Sequence, residues 1–359
     1  MHCRPRLVLI TTKPPALPAG QAVPKKNHRS GSYSFEKINK FRQPNSVKEN
    51  CPQMKKNETY SRRNFIKTSG VLAGALGMNS LINDLLAANN LVTKVPVYGH
   101  LWVYASRYPP NWDCTPILDE VFSDLKYAGL AGVELMEVLL RHDDAVTRLN
   151  DLIHKHELPV TGTSCFGDMW NKREHQKILE DTELIVERLH LIGGTTLGIT
   201  VGDAKHQKTE EELDAQAELL KKIMAVCDKN KVEPNLHNHT FEVTNGLHDL
   251  KGTLKRIPGI KLGPDLSWLV RAGVDPVWFI KTYGRQMVYM HLRDQAANGK
   301  WTETVGEGVI DFPAIAKALK EINYDRKAAI ELAFDEPPKN AIREDWKKSR
   351  EYVGKVFGW

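Results

Sequence analysis

From about residue 95 to the C-terminus, apolar residues recur in two alternating rhythms. Runs of strand length stand at Val97–Tyr104, Gly132–Val138, Leu158–Ser164, Thr196–Val201, Val232–His237, Ile260–Asp265, Met287–Leu292 and Ala328–Leu332. Between them lie amphipathic stretches such as Glu174–Ile192 and Glu210–Lys229, where apolar residues return at helical spacing and charges fill the other face. Eight strand-helix units in about 260 residues predict an α/β fold of the (β/α)8 TIM barrel type. A doubly wound open sheet is the alternative, but no Gly-rich phosphate loop follows the first strand.

Residues 1–53 follow neither rhythm. They are rich in Pro, Lys, Arg, Ser and Asn and carry a net charge of +8, whereas residues 54–88 carry +3 and the remainder −5. The basic balance of the whole chain, +6, therefore belongs to the leader, and an acidic folded part gives no reason to expect nucleic-acid binding. Ser61-Arg62-Arg63-Asn64-Phe65-Ile66-Lys67 resembles the twin-arginine export motif and is followed by a small-residue apolar run from Gly70 to Leu76. That run is far shorter than the ~20 residues of a spanning helix, so no stable membrane span is expected. The expected organisation is a twin-arginine signal peptide over 54–88, read by the export machinery and delivering the protein to the periplasm or beyond, and a single domain over 89–359. Met54 would then be the true start, with 1–53 as mis-annotated upstream sequence; a disordered arm is the competing reading.

Composition says little else. Cys114, Cys165 and Cys227 in the domain have no zinc-type or redox spacing, which predicts buried free thiols.

The chemistry lies at strand ends. His237, Asp265, His291 and Glu331 stand in or next to four separate apolar runs, "NLHNH", "GPDLSW", "MHLRD" and "AAIEL". Divalent ions need several N and O ligands from different directions, which the strand ends of a closed barrel supply. His237 and His239 are two apart and would share one strand face. Glu331 would be costly to bury unless paired or metal-bound. Glu134 and Glu137 are three apart and cannot both face the barrel interior; Glu137 is expected at the substrate, with Glu134 as the alternative. Asp294, three residues after His291, would orient that imidazole or pair with Arg293 at the surface.

From about Val95 onward the chain resembles the sugar isomerase/epimerase superfamily with the xylose isomerase-like barrel, a group that includes inosose dehydratases and endonuclease-four-type enzymes. The resemblance rests on "HNH" after strand five, "D-x-x-W…G-x-D-P" after strand six, "H-L-R-D" on strand seven, "G-E-G-x-I-D-F" before helix seven and "I-E-L" on strand eight. It implies a metal held by His237, Asp265, His291 and Glu331, with Glu331 also exchanging protons with substrate, helped by His239 and Glu137. Glu134, Trp102, Trp268 and Glu307 are expected at the substrate, and Glu307 could instead reach a neighbouring subunit of a homo-oligomer. Where many relatives have a metal-binding Glu this chain has His237, which favours manganese, cobalt, zinc or iron over magnesium. The implied activity is an exported sugar isomerase or epimerase working through an enediolate. Alternatives are a lyase or hydratase of the same superfamily eliminating from 3-keto-sugars or 3-keto-glycosides, and a non-catalytic sugar-binding barrel.

Overall fold

The computed structural model describes residues 95–359. The twin-arginine motif, the proposed start at Met54 and the boundary near residue 88 lie outside the described residues. Eight parallel strands, each followed by a helix, wrap into an α/β barrel. In chain order these are β1 (Val97–His100), α1 (Leu118–Tyr127), β2 (Val133–Leu135), α2 (Ala145–His156), β3 (Val160–Phe166), α3 (His175–Leu191), β4 (Thr196–Thr200) and α4 (Glu210–Lys229). They continue as β5 (Glu233–Leu236), α5 (His248–Arg256), β6 (Lys261–Leu262), α6 (Pro276–Tyr283), β7 (His291–Leu292), α7 (Phe312–Glu321), β8 (Ala328–Ile330) and α8 (Ile342–Phe357). Among the described residues no helix is long and apolar enough to cross a membrane.

Three of the eight barrel helices, α4, α6 and α7, start on a side chain that satisfies a first-turn N–H. Thr209 and Glu212 form a reciprocal capping box at the head of α4, with Glu212 Oε2 accepting from the Thr209 N–H at 2.8 Å. Asp275 and Asp311 cap α6 and α7, each with a proline in the first turn where its missing N–H costs nothing. The apolar face of each helix packs on the outer face of the sheet. Cys165 on β3, for example, meets Thr182 on α3 at 3.2 Å, so its neighbours Ser164 and Phe166 face the barrel axis. Cys114, Cys165 and Cys227 are buried and unpaired.

Several strands are shorter than the apolar runs predict, and each ends for a local reason. β1 stops at His100 and turns into a helical turn at Trp102–Ala105. β2 stops at Leu135 and gives way to a 3-10 turn at Glu137–Leu140. β6 keeps only Lys261–Leu262, because Gly263 and Pro264 follow and proline has no N–H for a ladder. The barrel closes between β6 and β7 through isolated bridges, Leu262 to Met287 and Asp265 to His291, with the His291 N–H donating to Pro264 O at 2.9 Å. That seam sets two candidate ligands side by side.

Candidate metal centre and sugar site

The carboxyl ends of β5 to β8 bring the predicted ligands together. His237, Asp265 and His291 each offer one donor atom, and the three atoms lie within 4.8 Å of one another. Asp265 divides its carboxylate between two tasks. Oδ1 caps the short helix Leu266–Arg271, accepting from Ser267 N at 2.8 Å and Trp268 N at 3.1 Å, while Oδ2 is buried with no hydrogen-bond partner. His291 is divided likewise. Its Nε2 lies 2.7 Å from Glu134 Oε2, and because a carboxylate only accepts, the proton sits on Nε2 and the Nδ1 lone pair faces the centre. Nδ1 is also without a hydrogen-bond partner, although Glu331 Oε2 approaches to 3.1 Å.

A divalent ion fits this donor set. Buried polar atoms are normally satisfied, and here an orphaned carboxylate oxygen and an orphaned imidazole nitrogen point at one place with a second imidazole beside them. Burial holds His237 well below the ordinary imidazole range, which keeps it neutral and able to ligate. Glu331, just past the end of β8, lies 3.1 Å from His291 Nδ1 but outside the group of three, and is also engaged by Arg293, whose guanidinium contacts its Oε1.

The remaining expected residues separate. Glu134 does not face the mouth as a substrate contact. Its Oε2 takes the His291 Nε2–H and the Tyr289 hydroxyl at 3.0 Å, so it lies on the far side of the imidazole from the orphaned Nδ1 and holds the ring in place. Burial alone would raise the Glu134 pKa, but its interactions with His291 and Tyr289, hydrogen bonds included, outweigh that and hold it below the usual value. Glu137, beyond the end of β2, accepts from Ser164 Oγ at 3.0 Å and lies 3.7 Å from Arg141. His239 packs against His237 and Trp268 at ring separations of 5.2 and 5.4 Å, with a buried, unpartnered Nδ1. Burial depresses its pKa to about 4. Trp268 belongs to the same wall, edge-on to Trp301 at 5.1 Å. Trp102 sits over the end of β1 beside Trp112 at 6.2 Å.

Two sequence expectations are corrected. Glu307 is not brought to the ligands: it is exposed and lines a surface groove with Lys348, Glu351 and Tyr352 of α8. Asp294 neither orients His291 nor pairs with Arg293. It is buried and accepts from the backbone N–H groups of Gln295, Gly306, Gly308 and Ile310, holding the "GEGVI" loop closed.

Sequence reasoning missed two members of the site. His100 ends β1 as the other polar residues end their strands, its Nδ1 accepting from Trp102 N at 3.2 Å and lying 3.8 Å from Glu331 Oε1. Burial lowers its pKa to about 4. Arg293 shares the strand face of His291, two residues on, and is only 4% exposed. Burial lowers its pKa to about 10, which leaves it charged at neutral pH.

Known proteins share this fold. Inosose dehydratase of Clostridium botulinum is 23% identical over 270 residues, covering 66% of this chain and 88% of that protein. A D-allulose 3-epimerase from Methylomonas sp., solved in complex with D-allulose, superposes with a TM-score of 0.58 at 16% identity over 73% of this chain and 97% of that one. A 3-keto-D-glucoside 4-epimerase from E. coli gives a TM-score of 0.54 at 16% identity over 74% and 99% of the two chains. Residues 122–352 match the family described as the xylose isomerase-like TIM barrel, and this chain belongs to that family.

Proposed function

We propose that this chain is a divalent-metal-dependent isomerase or epimerase of a sugar or keto-sugar. One observation carries the reading: the orphaned Asp265 Oδ2 and His291 Nδ1 converge with His237 at the carboxyl ends of three strands, with Glu331 beside them. A divalent ion bound there supplies Lewis acidity, which acidifies the C–H next to a chelated carbonyl. The nitrogen-rich donor set favours manganese, cobalt, zinc or iron over magnesium. Glu331 is placed to take the proton and return it. His239 and Glu137 are the candidates for helping with the proton and the sugar, and Glu134 keeps His291 in its working tautomer. The family's epimerase members and the D-allulose bound in one structural relative support a sugar substrate. Export through the twin-arginine route is part of the same proposal and rests on the Ser61–Lys67 motif.

A second reading, elimination, has its own support in the similarity to an inosose dehydratase. Both reactions begin with the same proton removal and differ in the fate of the carbanion. In deuterated water, an isomerase or epimerase incorporates one deuterium into a rearranged sugar of otherwise conserved mass. Loss of water or an aglycone from a keto-sugar or 3-keto-glycoside, with no activity on free aldoses or ketoses, would replace the first reading by the second. Glu331→Gln keeps the shape but cannot take the proton, so it should abolish turnover under either; full activity would remove Glu331 from the chemistry.

A further inference from the structure

Arg293 brings a positive charge to the place where a metal would bring its own. Asp265 and Glu331 are 0% and 6% exposed, and buried carboxylates without a counter-charge are costly. Among the described residues, Arg293 is the only Lys or Arg in ion-pair contact with either: its Nη2 touches Glu331, and its Nε lies 3.9 Å from Asp265 Oδ2. The guanidinium is held on one side, by Nη2 on Glu331, while its Nε has no hydrogen-bond partner. Its carbon also lies 4.5 Å from the centre of the Trp301 ring and 5.7 Å from that of Trp268, rings that Arg271 approaches more closely at 3.3 and 4.9 Å. Glu331, meanwhile, is the carboxylate nearest the His291 Nδ1 that a metal would need.

We propose that Arg293 is a built-in counter-cation that neutralises the metal-free site and gives up Glu331 when a divalent ion binds. Metal loading is then a competition between two cations for the same pair of carboxylates. The proposal rests on the reading that His237, Asp265 and His291 take a divalent ion. It adds a selectivity device, because an ion that binds a nitrogen-rich set weakly, such as magnesium, cannot displace the arginine.

The test is calorimetric titration of metal-stripped full-length protein with Mn2+ and with Mg2+, comparing wild type with Arg293→Met. Removing the competitor should tighten Mn2+ binding at least tenfold, make Mg2+ binding measurable, and lower the melting temperature of the metal-free form. Equal or weaker Mn2+ binding by the variant would overturn the proposal while leaving the metal site standing. Absence of Mn2+ binding by both proteins would overturn the metal reading and this proposal with it. If Arg293→Met does not fold, wild type answers alone. The Arg293 guanidinium NMR signal, assigned by its loss in Arg293→Lys, should shift and exchange faster on adding Zn2+. A signal that stays unchanged at saturating Zn2+ would rule the displacement out.

Discussion

Glu134 on β2 and His291 on β7 meet across the barrel interior, Oε2 to Nε2 at 2.7 Å, and both are almost fully buried. The pairing explains why His291 can serve as a ligand at all. A buried neutral imidazole has two tautomers, and only the one protonated on Nε2 presents a lone pair at Nδ1. Glu134 selects it. Glu134→Gln replaces a charged acceptor by a neutral amide that can also turn its NH2 toward the ring, so metal affinity should fall about 10–100-fold with the fold intact. Circular dichroism together with a Mn2+ titration measures this, and unchanged affinity would show that Tyr289 and the backbone suffice to orient the ring.

The barrel architecture was legible in the sequence because strands buried on both faces read as apolar runs, and of the four proposed ligands His237, Asp265 and His291 come together at the ends of such runs. Glu137 and Glu134 were not separable, since their assignment turned on where β2 stops, and Leu135 ends it before Glu137 could continue the strand. Asp294 reads from the sequence as a partner of the His291 imidazole or as half of a surface ion pair with Arg293, and the structure shows neither. The burial of Arg293 and Asp294 depends on chain far away: β8 brings Glu331 to Arg293, and the loop after β7 folds its N–H groups onto Asp294. Glu307 misled for a similar reason: of its flanking glycines, Gly308 is required by Asp294 and Gly306 by a positive φ and the Tyr352 ring, not by a substrate. A Cβ on Gly308 would stand 2.2 Å from Asp294 Oδ1.

The three depressed imidazoles predict acid sensitivity of the metal-free protein. His100 and His239 are held at about 4 by burial, and His237 well below the ordinary 6.5. A histidine whose pKa is lowered on folding adds stability that is present above its unfolded value and lost as pH falls through the folded one. The window is therefore pH 6.5 down to about 4, with up to about 1.4 kcal/mol lost per pH unit for each group. Urea unfolding of the stripped protein from pH 7 to 4 should show the decline, and His100→Gln should make it shallower. Parallel curves for the two proteins would exclude His100 as a contributor.

Glu242 predicts the opposite trend on the alkaline side. It lies in the short helical turn Thr240–Val243 after β5, with Oε2 accepting from His239 N at 2.8 Å and Oε1 buried without a partner beside a cavity of about 20 Å3. Burial, with a smaller push from Asp249, raises its pKa to about 8. The folded state keeps the proton that the unfolded chain releases near 4.5, so stability falls between these values as pH rises and levels off above about 8. Glu242→Gln, which has no proton to release, should gain on wild type by at most about 1.4 kcal/mol per pH unit across that window. Thermal unfolding at pH 5, 6.5 and 8 decides it; a constant difference between the two proteins would mean that Glu242 ionises alike in both states.

Asp294 offers the sharpest test of how the rim beside the site is built. Its two carboxylate oxygens accept four backbone N–H groups, from Gly306 and Gly308 at 2.9 and 2.8 Å on Oδ2, and from Gln295 and Ile310 at 2.8 and 3.3 Å on Oδ1. An asparagine keeps the volume but turns one acceptor into an NH2 group facing N–H donors, which leaves two buried donors unpaired. Each unmet buried donor costs about 1–3 kcal/mol, so Asp294→Asn should lose roughly 2–4 kcal/mol in urea unfolding. The loss should be local before it is global. New protease cleavage within 305–310 under native conditions is expected, with metal binding largely retained, because Asp294 touches none of the ligands. If Asp294→Asn instead abolished metal binding while the loop stayed protected, the residue would act on His291 after all, as its place three positions along the same strand first suggests.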